Sequence, residues 1–141
     1  MKVLIVDDDP SFLELSKTFL EVFHDIPSDT VDSAREALNM LEKDSYDVIV
    51  SDYDMPVMNG ITFLKTIRDK RINVPFILFT GVGEELMHQA IKNGADSFIL
   101  KNNDPKTQYL ELSKRIWKIV NGDTNLNPNP NTAIPEYIHK T

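Results

Sequence analysis

The residues best suited to chemistry in this sequence are two acidic groups, a threonine and a lysine. Asp7, Asp8 and Asp9 directly follow one apolar run, and Asp52 and Asp54 follow another. Thr80 closes a third run and Lys101 a fourth. Oxygen donors with no histidine or cysteine among them suit a hard cation, Mg2+ or Mn2+, which accepts carboxylates and keeps waters. Asp7, Asp8 and Asp52 are the expected side-chain ligands. A divalent ion together with the Lys101 amine would supply the positive charge that a transferring phosphoryl group requires. Asp52 is the expected nucleophile, forming an acyl phosphate, and Thr80 the hydroxyl that donates to the arriving oxygens. Taken singly, each residue has a plainer reading: a helix cap for Asp7 to Asp9, a strand end at Asp52, a turn hydroxyl, a solvated lysine. Their joint occurrence at successive strand ends favours chemistry.

The elements that must bring these groups together follow from the apolar pattern. Val3-Leu4-Ile5-Val6, Val48-Ile49-Val50, Phe76-Ile77-Leu78-Phe79 and Phe98-Ile99-Leu100 are short, continuous and β-branched or aromatic, as parallel strands covered on both faces are. A fifth, weaker strand is predicted near Ile26 to Val31, where Pro27 and Ser28 interrupt the run. Helical periods lie between. They are Phe12, Leu15, Phe19 and Val22; Ala34, Ala37, Leu38 and Leu41; Ile61, Leu64 and Ile67; Leu86, Ala90 and Ile91; and Tyr109, Leu112, Ile116 and Ile119. Asp9-Pro10, Ser33 with Glu36, and Asp104-Pro105 supply helix starts, and Asn93-Gly94 a helix stop. A β-α unit repeated in this way predicts an α/β, doubly wound parallel sheet with helices on both faces. Ligands of such sheets bind beyond the carboxyl ends of the strands, which is the rim where the acids, Thr80 and Lys101 fall.

Length and composition bound the possibilities. The chain has 141 residues, 41% of them hydrophobic and 26% charged, enough for one domain with a real core. It has no cysteine, which excludes disulfides, thiolate ligation and cysteine nucleophiles. A net charge of −7 argues against a nucleic-acid-binding surface. No apolar stretch reaches membrane-spanning length, so a soluble, cytoplasmic protein is expected. The domain is expected over residues 1–121, with 122–141 an Asn/Pro-rich linker or tail.

At these residues the sequence resembles the receiver domain of response regulators in two-component signalling. The resemblance is carried by "VLIVDDDP", "SDYDMPVMNG", "ILFTG" and "AIKNGADSFILK", in order, over about residues 2 to 121. It implies a flavodoxin-like fold with strand order 2-1-3-4-5. It also implies Asp52 as phosphoacceptor, and Asp7, Asp8 and the backbone carbonyl of Asp54 as further metal ligands beside it. Thr80 is then the switch hydroxyl, Lys101 the phosphate-binding amine, and Phe98 an aromatic that turns inward on phosphorylation. Asp54 and Val82 would tune the phosphoryl lifetime. The departure is Asn102, which follows Lys101 where the family usually carries a proline, so a different loop path is expected. The ending "KNNDPKTQYLELSKRI" is similar to receivers placed ahead of sensor modules in prokaryotic, especially archaeal, histidine kinases.

The function implied is a phosphorylation switch rather than turnover of a metabolite. A sensor histidine kinase or phosphotransfer protein would donate the phosphoryl group. The face made by the fourth helix, fifth strand and fifth helix would act on a downstream effector or fused output domain. Direct nucleic-acid and membrane partners are not expected, and a homodimer is compatible with the family. The competing reading is a haloacid-dehalogenase-type phosphatase, from the Asp-x-Asp pattern of Asp52 and Asp54. That motif belongs near a first strand and in a longer chain, whereas here it follows the third.

Overall fold

A computed structural model describes residues 1–81 and 83–122. Val82 and the stretch from residue 123 onward, which holds nearly all of the expected tail, lie outside the described residues. The strands are β1 (Val3–Val6), β2 (Ser28–Val31), β3 (Val48–Ser51), β4 (Phe76–Thr80) and β5 (Ser97–Leu100). The helices are α1 (Pro10–Thr18), α2 (Ala34–Lys43), α3 (Gly60–Asp69), α4 (Glu85–Lys92) and α5 (Pro105–Asn121). All strand pairs are parallel, in the order β2-β1-β3-β4-β5. This is the flavodoxin-like arrangement predicted, with its switch point between β1 and β3.

Continuous apolar strands are explained by the two cores they feed. Successive side chains leave a strand on opposite faces. Val3, Ile5, Val50, Ile77 and Phe79 join Leu13, Tyr109, Leu112 and Ile116 on the α1 and α5 side. Leu4, Val6, Ile49, Phe76 and Leu78 join Ala37, Phe63, Leu64 and Ile67 on the α2 and α3 side. A strand buried on both faces cannot alternate with polar residues, and these do not.

Two apolar faces differ from their predicted positions. In α1 the buried positions are Leu13 and Ser16, followed by Leu20, while Leu15 is exposed and Val22 is 69% exposed. The helix opens after Thr18 into a π-helical turn, Phe19–Phe23, which shifts the phase of its face. The inward position at Ser16 is polar because its Oγ shares a 2.6 Å hydrogen bond with the buried Tyr109 hydroxyl. In α4 only Ala90 is buried, and Ile91 is 49% exposed.

The weak second strand begins just after Pro27, whose carbonyl accepts the Val3 N–H at 3.0 Å. Side chains hold this edge in place. Glu21 Oε2 accepts the Ser28 N–H at 3.0 Å, and Lys17 Nζ donates to the Ser28 carbonyl. Tyr46 Oη donates to Asp29 Oδ2 at 2.7 Å.

The turn behind β3 is fixed by a close approach. Gly60 donates its N–H to the Tyr53 carbonyl at 2.8 Å. A Cβ on Gly60 would lie 2.2 Å from the Asp52 carbonyl oxygen and 3.0 Å from Leu78 Cδ1. Backbone cannot yield cheaply there, and overpacking of this kind costs about 1–3 kcal/mol. Gly60→Ala is therefore expected to destabilise the domain by about 2 kcal/mol or more. Urea denaturation measures this, and an unchanged midpoint would mean that the turn does not pack against Asp52 as described.

Candidate functional site

Each side chain on the rim arrives by a local cause. Asp7 is the first residue after β1 and its N–H donates to the Val31 carbonyl, so it is held at the sheet's end, 2% exposed. Its Oδ1 accepts the Asp9 N–H at 3.0 Å. Asp8 is exposed and faces the same cleft. Asp9 caps α1, accepting from the Ser11 and Phe12 N–H groups, as the Asp-Pro pair predicts. Asp52 follows β3, its N–H donating to the Val6 carbonyl at 2.9 Å. Its Oδ1 accepts the Tyr53 N–H at 2.8 Å.

The loop after Asp52 is shaped by its turn residues. Met58 donates its N–H to the Pro56 carbonyl at 2.8 Å around Val57, which has φ 73°. A β-branched residue in that region stores about 1–3 kcal/mol of strain, and Val57 is 96% exposed. Asp54 lies on the cleft wall and is exposed. Met55 is buried, anchoring the loop in the core beside α3.

Asp7, Asp8 and Asp52 converge: one carboxylate oxygen from each lies within 4.8 Å of the others. Lys101 Nζ stands 2.9 Å from Asp7 Oδ2 and 3.6 Å from Asp52 Oδ1. Thr80 ends β4, is 1% exposed, and its carbonyl accepts the Lys101 N–H at 2.9 Å. Asp7, Asp8, Asp52, Asp54 and Lys101 line a single open cleft of about 530 Å3 with Asp9, Met55 and Pro56. The donor set fits Mg2+: three carboxylates, no nitrogen or sulfur, and an open side for waters. Phe98 lies away from this cleft, half-buried against the core on the α2 and α3 side.

Electrostatics follow from burial. The Asp52 carboxyl is pushed above the usual aspartate range, first by desolvation and further by the charge of Asp7. Lys101, a hydrogen bond from Thr80 and the Tyr53 N–H oppose that rise. A carboxylate so placed gains by meeting a cation.

The loop after Lys101 is held by side-chain hydrogen bonds. The Asn102 N–H, which a proline would lack, donates to Gln108 Oε1 at 2.6 Å. Asn102 Oδ1 accepts the Asp104 N–H at 2.7 Å, and Asp104 caps α5. Every described peptide bond is trans. Gln108 escaped the sequence reading because a polar residue beside Tyr109 carries no periodic signal. Phe12 was legible only as a helix-face residue, yet its ring lies 3.9 Å beneath Lys101 Nζ.

Comparison with known proteins agrees with this geometry. A sequence model described as the response regulator receiver domain matches residues 3–112. Over 137 residues the chain is 34% identical to a protein-glutamate methylesterase/protein-glutamine glutaminase of Clostridium acetobutylicum, covering 92% of this chain and 40% of that protein. The chain spans about half the length of the curated relatives it matches. A Francisella response regulator receiver domain superposes with TM-score 0.77 at 31% identity, covering 86% of this chain and 97% of that one. A Thermotoga maritima response regulator in complex with Mg2+-BeF superposes at TM-score 0.74 and 27% identity, covering 84% and 97%. These matches do not favour the phosphatase alternative.

The raised pKa of Asp52 has a consequence for stability. The folded chain holds that proton more tightly than the unfolded one, whose aspartate titrates near about 3.9. Stability is therefore lost as pH rises from the unfolded value through the raised folded value, and stays lower above it. Asp52→Asn, which is neutral throughout, should melt at a higher temperature than the wild type at pH 7 without divalent ions. Near pH 3 the advantage should vanish. Thermal melts at the two pH values test this, and a lower melting temperature for the variant at pH 7 would contradict it.

Proposed function

The chain belongs to the response regulator receiver domain family, and from that premise we propose that Asp52 is its phosphoacceptor. The observation that carries the reading is the meeting of Asp7, Asp8 and Asp52 within 4.8 Å, with Lys101 Nζ 2.9 Å from Asp7 and 3.6 Å from Asp52. A kinase phosphohistidine, or one on a phosphotransfer protein, presents its phosphorus to the cleft. An Asp52 carboxylate oxygen forms a P–O bond as the P–N bond breaks. The electron pair stays on the imidazole nitrogen. Lys101 meets the charge on the phosphoryl oxygens, and the Thr80 hydroxyl donates to one of them.

Asp7, Asp8 and Asp52, with the Asp54 backbone carbonyl, would hold the ion, Mg2+ or Mn2+. Bound there, it supplies charge neutralisation for an incoming phosphate that would otherwise meet a carboxylate cluster. The Asp54 side chain serves the cleft wall instead.

The output follows from the same rim. A phosphoryl group adds close to two negative charges. Thr80 and Lys101 move to meet it, Phe98 repacks toward the core, and the face of α4, β5 and α5 changes. Met87 and Ile91 of α4 and Leu100 of β5 already stand exposed on that side, a surface suited to an effector or output domain, or to a second copy. Residues 1–121 form the receiver and 122–141 its linker or tail, acting in the cytoplasm. Among the described residues no helix is long and apolar enough to cross a membrane.

Acetyl phosphate with Mg2+ should place one acid-labile phosphoryl group on the wild-type chain and none on Asp52→Asn. Mass spectrometry of the intact protein reads this, and labelling retained in the variant would remove Asp52 as acceptor. Millimolar Mg2+ should raise the melting temperature of the wild type through binding to the folded rim. Asp8→Ala should lose most of that rise.

A further inference from the structure

We propose that Phe12 is a positioning residue for phosphoryl transfer, its ring acting as a shelf that holds the Lys101 ammonium at the edge of the carboxylate cleft. The proposal rests on Lys101 being the phosphate-binding amine and adds what fixes that amine in place.

The geometry begins with where Phe12 sits on its helix. The inward positions are Leu13, Ser16 and Leu20, so Phe12 flanks the buried face and is only half-buried. Lys101 Nζ lies 3.9 Å from the ring centroid of Phe12 and 5.9 Å from that of Phe79. An ammonium at that distance over an aromatic face is attracted by the ring's quadrupole. The ring takes only the N–H turned toward its face, so the remaining donors of Lys101 stay available for anions. Asp7 Oδ2 takes one of them at 2.9 Å.

The ring is itself braced. Phe12 packs tilted on Phe79 at 5.7 Å and on Tyr109 at 6.3 Å between centroids. Tyr109 is fully buried, stacks on Phe19 at 4.9 Å, and has its hydroxyl tied to Ser16 Oγ. A wandering side chain could not set a lysine's position, and this one is held by three elements: β4, α1 and α5.

The shelf is also tied to the acids. Phe12 donates its N–H to Asp9 Oδ1 at 3.4 Å, and Asp9 donates its own to Asp7 Oδ1 at 3.0 Å. One turn of chain therefore carries both the Asp7 carboxylate and the ring that flanks Lys101. A leucine at this position would fill much of the volume but present no quadrupole. That difference separates a shelf from ordinary core packing.

The test uses beryllium fluoride with Mg2+ as a phosphoryl mimic and titrates its binding to the full chain. Phe12→Leu should bind it about threefold to tenfold more weakly than the wild type, the range a partly desolvated cation–π contact supplies. Phe12→Tyr, which restores the ring, should bind within about twofold of the wild type. In a Lys101→Met background Phe12→Leu should cause no further loss. The Lys101 Cε protons should resonate at high field in the wild type and Phe12→Tyr, and at ordinary positions in Phe12→Leu. Thermal melting checks folding, and Phe12→Met replaces Phe12→Leu if the latter does not fold.

Equal affinity of wild type and Phe12→Leu would overturn the proposal. So would an equal loss in the Lys101→Met background, or unshifted lysine protons in the wild type. A wild type that binds no beryllium fluoride yet keeps the high-field protons would instead sink the phosphoacceptor reading.

Discussion

Negative charge crowded at the carboxyl edge of the sheet is the constraint from which the rest of this structure follows. Asp7 and Asp52 are withdrawn from water at the ends of β1 and β3, with Asp8 beside them, their oxygens within 4.8 Å. Two carboxylates at that separation repel by on the order of 3 kcal/mol at an effective dielectric constant of about 20. The fold tolerates this because Lys101 is delivered from β5 on the far side of β4. Thr80 receives the Lys101 backbone N–H, so the lysine starts from a fixed point. One cation against three acids leaves the rim short of positive charge. That shortage is one a divalent cation would meet.

Meeting that constraint organises residues with no charge of their own. Gly60 is glycine because the backbone of Asp52 passes where its Cβ would be. The loop between them accepts a strained, exposed valine at Val57, while Asp54, Met55 and Pro56 line the cleft. Beneath Lys101 the rings of Phe12 and Phe79, backed by Tyr109, cover one side of the ammonium. Attraction to the acids is stronger where fewer waters compete.

The sequence made the fold legible because parallel strands buried on both faces leave uninterrupted apolar runs, and because Asp-Pro, Ser-x-x-Glu and Asn-Gly punctuate the helices. The acids, Thr80 and Lys101 were legible for a related reason: each ends such a run, and the ends share one rim. What escaped was set by tertiary contacts. Ser16 sits inward because Tyr109 needs a partner, and no hydrophobic period marks a serine. The π-helical turn shifts the phase beyond Thr18, so Val22 points outward, while Leu15 lies off the face that Leu13 and Ser16 set. Asn102 signalled only the lack of a proline. That its N–H would find Gln108 depended on how α5 packs.

The two flanks of the rim are not held equally. On the α5 side Tyr109, Leu112 and Ile116 are fully buried, Asp104 caps the helix, and Gln108 holds Asn102. On the α4 side a single alanine is buried, and Glu84 makes no capping side-chain bond. Segments with few buried apolar contacts open at low free-energy cost, whereas well-packed ones share the stability of the whole domain. Thr80 stands at the junction, the last residue of β4, with Gly81 beyond it in open space. On the proposed function, a dianion on Asp52 would pull on Lys101 and Thr80 together. The lysine, resting over the rings of Phe12 and Phe79, would shift less than Thr80. The response would then fall mainly on the α4 side and its exposed apolar surface.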